Sequence, residues 1–137
     1  MNKKRWVGAS IAIFIVLFAL EYLFNNVCLK NLYIATASVW RPEADMMKLI
    51  PYYWAALLAE SFLFTYIYAK GYEAKPSALG EGLRFGFIVG LFVSLPMATI
   101  TYATMPLPDK IPLYWFLMGM FEFLAAGAVA GLIYKKG

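Results

Sequence analysis

Three glutamates interrupt apolar segments of this chain. Glu21 lies in "FALEYLF", Glu60 in "LLAESFLF" and Glu122 in "GMFEFLAAG". A charged side chain at the centre of a bilayer costs at least about 2.5 kcal/mol, so these acids are expected to face the protein interior or a wet cavity. The cores of these apolar segments contain no Lys, Arg or His, and burial disfavours the charged form. The segments therefore predict a site with at least one protonated carboxyl group, suited to exchanging a proton, binding a cation or donating a hydrogen bond.

The depth of the acids predicts which of them meet. At 1.5 Å per helical residue, Glu60 lies about 16 Å, Glu122 about 14 Å and Glu21 about 9 Å from the outer ends of their helices. Pro96 lies at a depth similar to that of Glu60 and Glu122, and because proline has no N–H it frees the carbonyl of Phe92 and predicts a helix bend. We therefore expect Glu60 and Glu122 to form one coupled site near Pro96.

Other side chains complete the predicted site. Hydroxyl partners for the acids are Tyr52, Tyr53, Ser61, Ser94, Thr99 and Thr101. Aromatic faces for a cation include Trp54 and Tyr66 as well as Tyr52 and Tyr53.

Glu21 and Asn25 are four residues apart and so share a helix face, which predicts the lining of an outward-facing vestibule. Two alternatives stay open. The first helix ends before Val27 and leaves Glu21 just below the surface, or the acids only join helices as neutral hydrogen-bonding groups.

Several chemistries are excluded by composition. Cys28 is the only cysteine and the chain has no histidine, so neither an intramolecular disulfide, a bis-histidine haem nor a typical zinc site is expected. We predict no metal and no cofactor. No nucleophile with its base and no phosphate-binding loop is evident, so the chain is not expected to be an enzyme, and a lipid-acting enzyme is the weaker alternative.

The elements that must position these residues are membrane helices. The chain is 63% hydrophobic and 15% charged, against about 45–50% and about 25% in soluble domains. Four apolar blocks, at residues 6–27, 49–69, 83–105 and 113–134, each provide the roughly 20 residues that cross a hydrocarbon core. With short connections, they predict a single all-α membrane domain, an antiparallel bundle of four transmembrane helices.

Basic residues predict the orientation of that bundle. With a cytoplasmic N-terminus, eight Lys and Arg residues face inward and four face outward, so both termini are expected in the cytoplasm. The inner set is Lys3, Lys4, Arg5, Lys70, Lys75, Arg84, Lys135 and Lys136, and the outer set is Lys30, Arg41, Lys48 and Lys110. The net charge of +4 is spread over tails and loops, which predicts anchoring to the lipid bilayer and not binding to nucleic acid.

Small residues predict how the helices pack. The third span carries Gly82, Gly86, Gly90 and Ser94 at four-residue spacing, and the fourth carries Gly119, Gly127 and Gly131. Such faces allow two helix backbones to come close, so the third and fourth spans are expected to form the tightest pair. Packing within one subunit and formation of a homodimer both remain open.

The connections between spans carry their own signals. Between Cys28 and Lys48, Tyr33 and Trp40 are typical interfacial anchors, and a short interfacial helix is expected there. Ser77 is a predicted N-cap for the third span.

The segment "GEGLRFGFIVGL" at the start of the third span, with a glutamate in the fourth, resembles small uncharacterised bacterial inner-membrane proteins grouped as domains of unknown function. The resemblance implies a four-helix membrane fold and brings no catalytic or binding residue. In size and membrane acids the chain is also similar to small multidrug-resistance exporters, which use a glutamate in the first helix. Glu21 would take that part, although the surrounding residues and loops differ.

The sequence therefore predicts a multi-pass protein of the bacterial inner membrane with an intramembrane carboxylate site. This site is expected to bind or transport a proton, a cation or an amphiphilic ligand whose identity stays open. The alternative is a non-catalytic accessory or stabilising subunit of a larger membrane complex.

Overall fold

The computed structural model describes residues 1–136, and this range is helical without a strand. Its five α-helices are α1 (Lys3–Leu23), α2 (Lys30–Ala35), α3 (Glu43–Lys70), α4 (Ala78–Thr104) and α5 (Lys110–Ile133). A π-helical turn, Phe24–Cys28, continues α1, and a 3-10 turn, Ala37–Val39, follows α2. The all-α prediction is confirmed for these residues.

Three helical segments in the described range are long and apolar enough to cross a membrane: Lys3–Cys28, which joins α1 to the π turn, α4 and α5. These correspond to the first, third and fourth predicted spans. The second predicted span lies in α3, which has 28 residues but is not among the three, since tyrosines, Trp54 and Glu60 interrupt its apolar run.

Local sequence sets where the long helices begin. The Ser77 hydroxyl accepts the N–H of Gly80 at 3.0 Å and caps α4, as expected of serine at this position. α3 begins at Glu43, well before the predicted 49. Pro42 precedes it with an extended backbone, and Glu43 and Asp45 in its first turn suit the positive end of the helix dipole.

Adjacent long helices run antiparallel. Trp6 packs on Phe62 and Phe18 on Trp54, which orients α1 against α3. Along the bundle, α1 lies between α3 and α5, while α4 packs mainly on α5.

The contact between α4 and α5 is made by backbone. A Cβ atom added to Gly82 would fall on the carbonyl oxygen of Gly127, and one added to Gly86 on that of Phe123. Gly131 approaches the Ala78 carbonyl in the same way. The structure thus places these predicted glycines where α4 and α5 come closest.

The core lies toward the end of the bundle that holds Asn2, the 71–77 loop and Tyr134. There, the second half of α3 buries Phe64 and Tyr68 against α1, α4 and α5. The first half of α3, Glu43–Ala56, is exposed at every residue except Ile50, which is half-buried. The rest of the chain therefore covers this half of α3 only slightly, and this half contains Tyr53 and leads to Glu60.

Candidate functional site

Glu21, in the last turn of α1, accepts hydrogen bonds from two other side chains. Asn25 Nδ2 donates to Glu21 Oε2 at 2.6 Å. The Tyr53 hydroxyl donates to the same oxygen from α3. The prediction that Glu21 and Asn25 share a polar face thus corresponds to a direct contact, and α3 joins it through Tyr53.

The other two glutamates lie near Glu21. Glu122, on α5, and Glu60, on α3, are both close enough to Glu21 for their charges to interact. All three acids are half-buried. We call Glu21, Glu60 and Glu122 the carboxyl cluster.

No basic side chain pairs with the carboxyl cluster among residues 1–136. None of the salt bridges within this range reaches Glu21, Glu60 or Glu122. The side-chain hydrogen bonds to Glu21 come instead from the neutral donors Asn25 and Tyr53.

A chain of hydrogen bonds connects the cluster to α2 and α5. Tyr33 on α2 donates its hydroxyl proton to Asn25 Oδ1 at 2.7 Å, and Trp115 Nε1 on α5 donates to the Tyr33 hydroxyl at 2.8 Å. Burial raises the pKa of Tyr33, an effect that the hydrogen bond from Trp115 opposes. Tyr33 is thus a neutral donor that holds the Asn25 amide oxygen and so orients the amide nitrogen toward Glu21.

The π-helical turn after α1 makes this chain of contacts possible. Leu29, 1% exposed, anchors the end of the turn, and its N–H bonds to the Phe24 carbonyl at 2.8 Å. The chain then turns into α2, and the Tyr33 ring packs on Trp40 at 5.5 Å between ring centroids. Single π turns inside helices are frequently found at functional sites.

The structure distributes the remaining predicted site residues differently. Tyr52 is 75% exposed and points away from the bundle. Ser94 is buried, and its hydroxyl would meet a Cβ added to Gly119, so it belongs to the contact between α4 and α5. Thr101 is half-buried on α4.

The predicted location near Pro96 is also different. α4 continues without interruption through Pro96, which lies with Phe92 on its exposed face. The acids assemble on α1 instead, because α1 and not α4 lies between α3 and α5. Glu21, which was expected at a separate vestibule, is the member that links the other two.

Sequence reasoning treated Tyr33 only as an interfacial anchor and did not include Trp115. The four-residue spacing from Glu21 identified Asn25. Tyr33 and Trp115 are 82 residues apart, and no local pattern connects them. Within the described residues there is no group of three or more His, Cys, Asp or Glu side chains suited to a metal ion.

The site therefore combines three neighbouring carboxyl groups and neutral hydrogen-bond donors, beside the exposed half of α3. Its chemistry suits holding a proton or a positively charged group. A scan against protein-family models and searches of curated proteins and of solved structures found no match to the chain.

Proposed function

We propose that this chain is a small integral membrane protein whose carboxyl cluster binds an organic cation in exchange for a proton. The observation that carries the proposal is the proximity of three carboxyl groups from α1, α3 and α5, close enough for their charges to interact, with no salt-bridging cation among residues 1–136. A bound monovalent cation would replace one proton and keep the charge of the site constant.

The proposal includes four membrane spans. α3 would be the fourth, since its 28 residues reach about 42 Å, longer than a hydrocarbon core of about 30 Å. Its lower apolar content is consistent with a helix that turns Tyr53 and Glu60 toward the site. The surplus of basic residues at the two ends of the chain and around the 71–77 loop, where Lys70, Lys75 and Arg84 lie, supports cytoplasmic termini and a bacterial inner-membrane location.

Cysteine labelling in intact cells tests this topology. In a Cys28→Ser background, Trp40→Cys should react with an impermeant thiol reagent and Lys75→Cys should not. Labelling at 75 without labelling at 40 would reverse the orientation, and labelling at both would remove α3 as a span.

An organic cation fits this site better than a small metal ion. Ca²⁺ takes six to eight oxygen ligands and Mg²⁺ demands near-octahedral oxygen geometry, whereas Glu21 Oε2 is already occupied by Asn25 and Tyr53. A large, weakly hydrated cation needs only net negative charge and aromatic faces. Tyr53 and Trp54 supply such faces on α3, each more than 40% exposed.

Tetraphenylphosphonium is a suitable probe, and tetraphenylborate is its anionic match in size and shape. In detergent solution, phosphonium affinity should rise with pH, because exchange for a proton is favoured when protons are scarce. Glu21→Gln should weaken binding by about tenfold or more, the equivalent of about 1.4 kcal/mol. Glu43→Gln is the matched control, because it makes the same chemical change at the exposed start of α3.

The outcomes separate the possibilities clearly. Equal phosphonium affinity in the native protein and Glu21→Gln, or affinity without pH dependence, would refute cation exchange at the cluster. If pH and Glu21→Gln change tetraphenylborate affinity as much as phosphonium affinity, both probes bind a general apolar surface instead.

The exposed first half of α3 favours a second candidate function, an accessory subunit. Met46, Met47 and Trp54 on this half are each more than 40% exposed, although Trp54 packs on Phe18, and a neighbouring membrane protein would cover their exposed surface. Purification from native membranes in mild detergent tests this. A stoichiometric partner that is lost on Trp54→Ala but retained in Glu21→Gln would favour the subunit.

A further inference from the structure

A cavity with polar lining residues lies at the end of α3 opposite to its exposed half. It has a volume of about 240 Å³ and is lined by the end of α3, the loop that follows and the first three turns of α4. Its polar lining comes from Tyr68, Glu73, Glu81 and Arg84, and its apolar lining from Phe85 and Ile88. None of these residues belongs to the carboxyl cluster.

Glu81 holds the loop that forms one wall of the cavity. Its carboxylate, 5% exposed, accepts the backbone N–H of Glu73 at 2.7 Å and that of Lys75 at 3.0 Å, one on each oxygen. Between them, Ala74 takes a φ of 56°, a left-handed conformation that L-residues other than glycine seldom adopt. Glu81 therefore shapes the cavity, and its oxygens are already engaged.

The Tyr68 hydroxyl is the unexplained group in this cavity. Tyr68 is 1% exposed, and its hydroxyl oxygen has no hydrogen-bond partner within residues 1–136. Buried polar atoms are nearly always paired because an unpaired one loses its hydration without compensation. A ligand in the cavity would supply the missing partner.

Arg84 contributes a positive charge to the lining of the same cavity. Its Nη2 atom donates to Glu73 at 2.9 Å, and Lys75 Nζ contacts the same carboxylate at 2.7 Å. These hydrogen bonds, first from Lys75 and then from Arg84, hold the pKa of Glu73 below its usual value. The guanidinium has five N–H donors, so it keeps donors for a phosphate, its preferred kind of partner.

An apolar strip continues from the cavity along α4. Arg84, Ile88 and Phe92 are four residues apart and so share one helix face. Ile88 is 58% exposed and Phe92 is 80% exposed. An acyl chain attached to a group at Arg84 would lie along this strip.

We propose that the cavity binds the headgroup of a membrane phospholipid. The phosphate accepts hydrogen bonds from Tyr68 and Arg84, and one acyl chain runs along Ile88 and Phe92. This proposal requires the chain to lie in a membrane, but it is independent of cation binding at the carboxyl cluster.

Binding of phosphatidylethanolamine to the delipidated protein in detergent tests the proposal, with diacylglycerol of the same acyl chains as the phosphate-free match. Phosphatidylethanolamine should raise the melting temperature more than diacylglycerol does. Tyr68→Phe should lower phospholipid affinity by about five- to tenfold, the equivalent of one hydrogen bond, and Arg84→Gln should lower it at least as much. Tyr66→Phe, the same change at an exposed position of α3, should have no effect.

Melting temperatures of the delipidated proteins distinguish a folding defect from a loss of lipid binding. Because the Tyr68 hydroxyl has no protein partner, delipidated Tyr68→Phe should melt at the same temperature as the native protein or higher. A lower melting temperature there would show a protein partner and overturn the proposal. So would unchanged phospholipid affinity in Tyr68→Phe, equal binding of diacylglycerol, or inorganic phosphate that alone reproduces the full stabilisation. Glu21→Gln should keep phospholipid affinity, so failure at one site is distinguishable from failure at the other.

Discussion

Alanine substitutions at individual glycines should have effects of opposite sign along this chain. A Cβ on Gly86 would fall on the Phe123 carbonyl oxygen of α5, which is backbone and has no rotamer to change. A Cβ on Gly90 would meet two side-chain atoms at 3.1 Å, the Met120 sulfur, which can move, and the Phe123 Cβ, which is fixed to the backbone. A Cβ on Gly8 would have nothing within 4 Å. The three positions therefore form a graded series within helices.

Two opposing terms set the size of each effect. Replacing a helical glycine by alanine contributes about 1 kcal/mol of helix propensity. Overpacking costs about 1–3 kcal/mol. Gly86→Ala should reach the upper value, because α4 and α5 must separate by about 1 Å and lose up to half of the dispersion energy of their contacts. The net changes are then about 2 kcal/mol of destabilisation for Gly86→Ala, about zero for Gly90→Ala and about 1 kcal/mol of stabilisation for Gly8→Ala.

Unfolding by SDS in mixed micelles, followed by circular dichroism, measures these free energies. The native protein and the three variants are compared at one detergent concentration. An unfolding free energy of Gly86→Ala equal to or above that of Gly8→Ala would refute the close backbone contact between α4 and α5. A loss at Gly8→Ala as large as that at Gly86→Ala would show that the cost comes from something other than this contact.

Three further predictions concern the polar groups. Tyr53→Phe should lower the unfolding free energy by about 1–3 kcal/mol, because it removes a donor to Glu21, whereas Tyr52→Phe, at an exposed position, should change it by less than about 0.5 kcal/mol; equal effects in the same SDS titration would contradict the contact. Infrared spectra at pH 7 should contain a protonated carboxyl band that is lost or shifted in Glu122→Gln, and a spectrum with only ionised carboxylates would show that no acid of the carboxyl cluster holds a proton at this pH. Since hydrogen bonds from Lys75 and Arg84 lower the pKa of Glu73, its contribution to stability should be complete above the usual glutamate value of about 4.3 and be lost as the pH falls through the lower folded value. Melting temperatures of Glu73→Gln should thus be less sensitive to acid below about pH 4.3 than those of the native protein, and parallel losses would argue against these pairs.

The interfacial segment illustrates why only part of the site was foreseen. Tyr33 and Trp40 were expected at a membrane surface because aromatic residues flanking apolar blocks commonly lie there. That expectation follows from composition and does not identify any hydrogen-bond partner of the two side chains. The bonds from Trp115 to Tyr33 and from Tyr33 to Asn25 depend on the π turn and on α2, and their geometry is not encoded in any local repeat.

The carboxyl cluster shows the same limit more strongly. Periodicity and depth indicated that Glu60 and Glu122 would avoid lipid and lie at one level, and both are half-buried near each other. Their meeting point depended on which helix lies between α3 and α5. Because of Pro96, the site was predicted beside α4. The glycines of α4 instead pack that helix mainly on α5.

The sequence by itself determined the helical class, the start of α4 at Ser77 and the small residues that allow α4 and α5 to touch. Each of these rests on a local cause: apolar length, a capping hydroxyl or the absence of a side chain. Tertiary structure alone decided that Glu21 lies near the other acids, that the first half of α3 stays exposed, and that the Tyr68 hydroxyl has no hydrogen-bond partner within residues 1–136. These features depend on the order in which helices pack around one another, and that order results from the sum of many weak contacts between residues far apart in the chain.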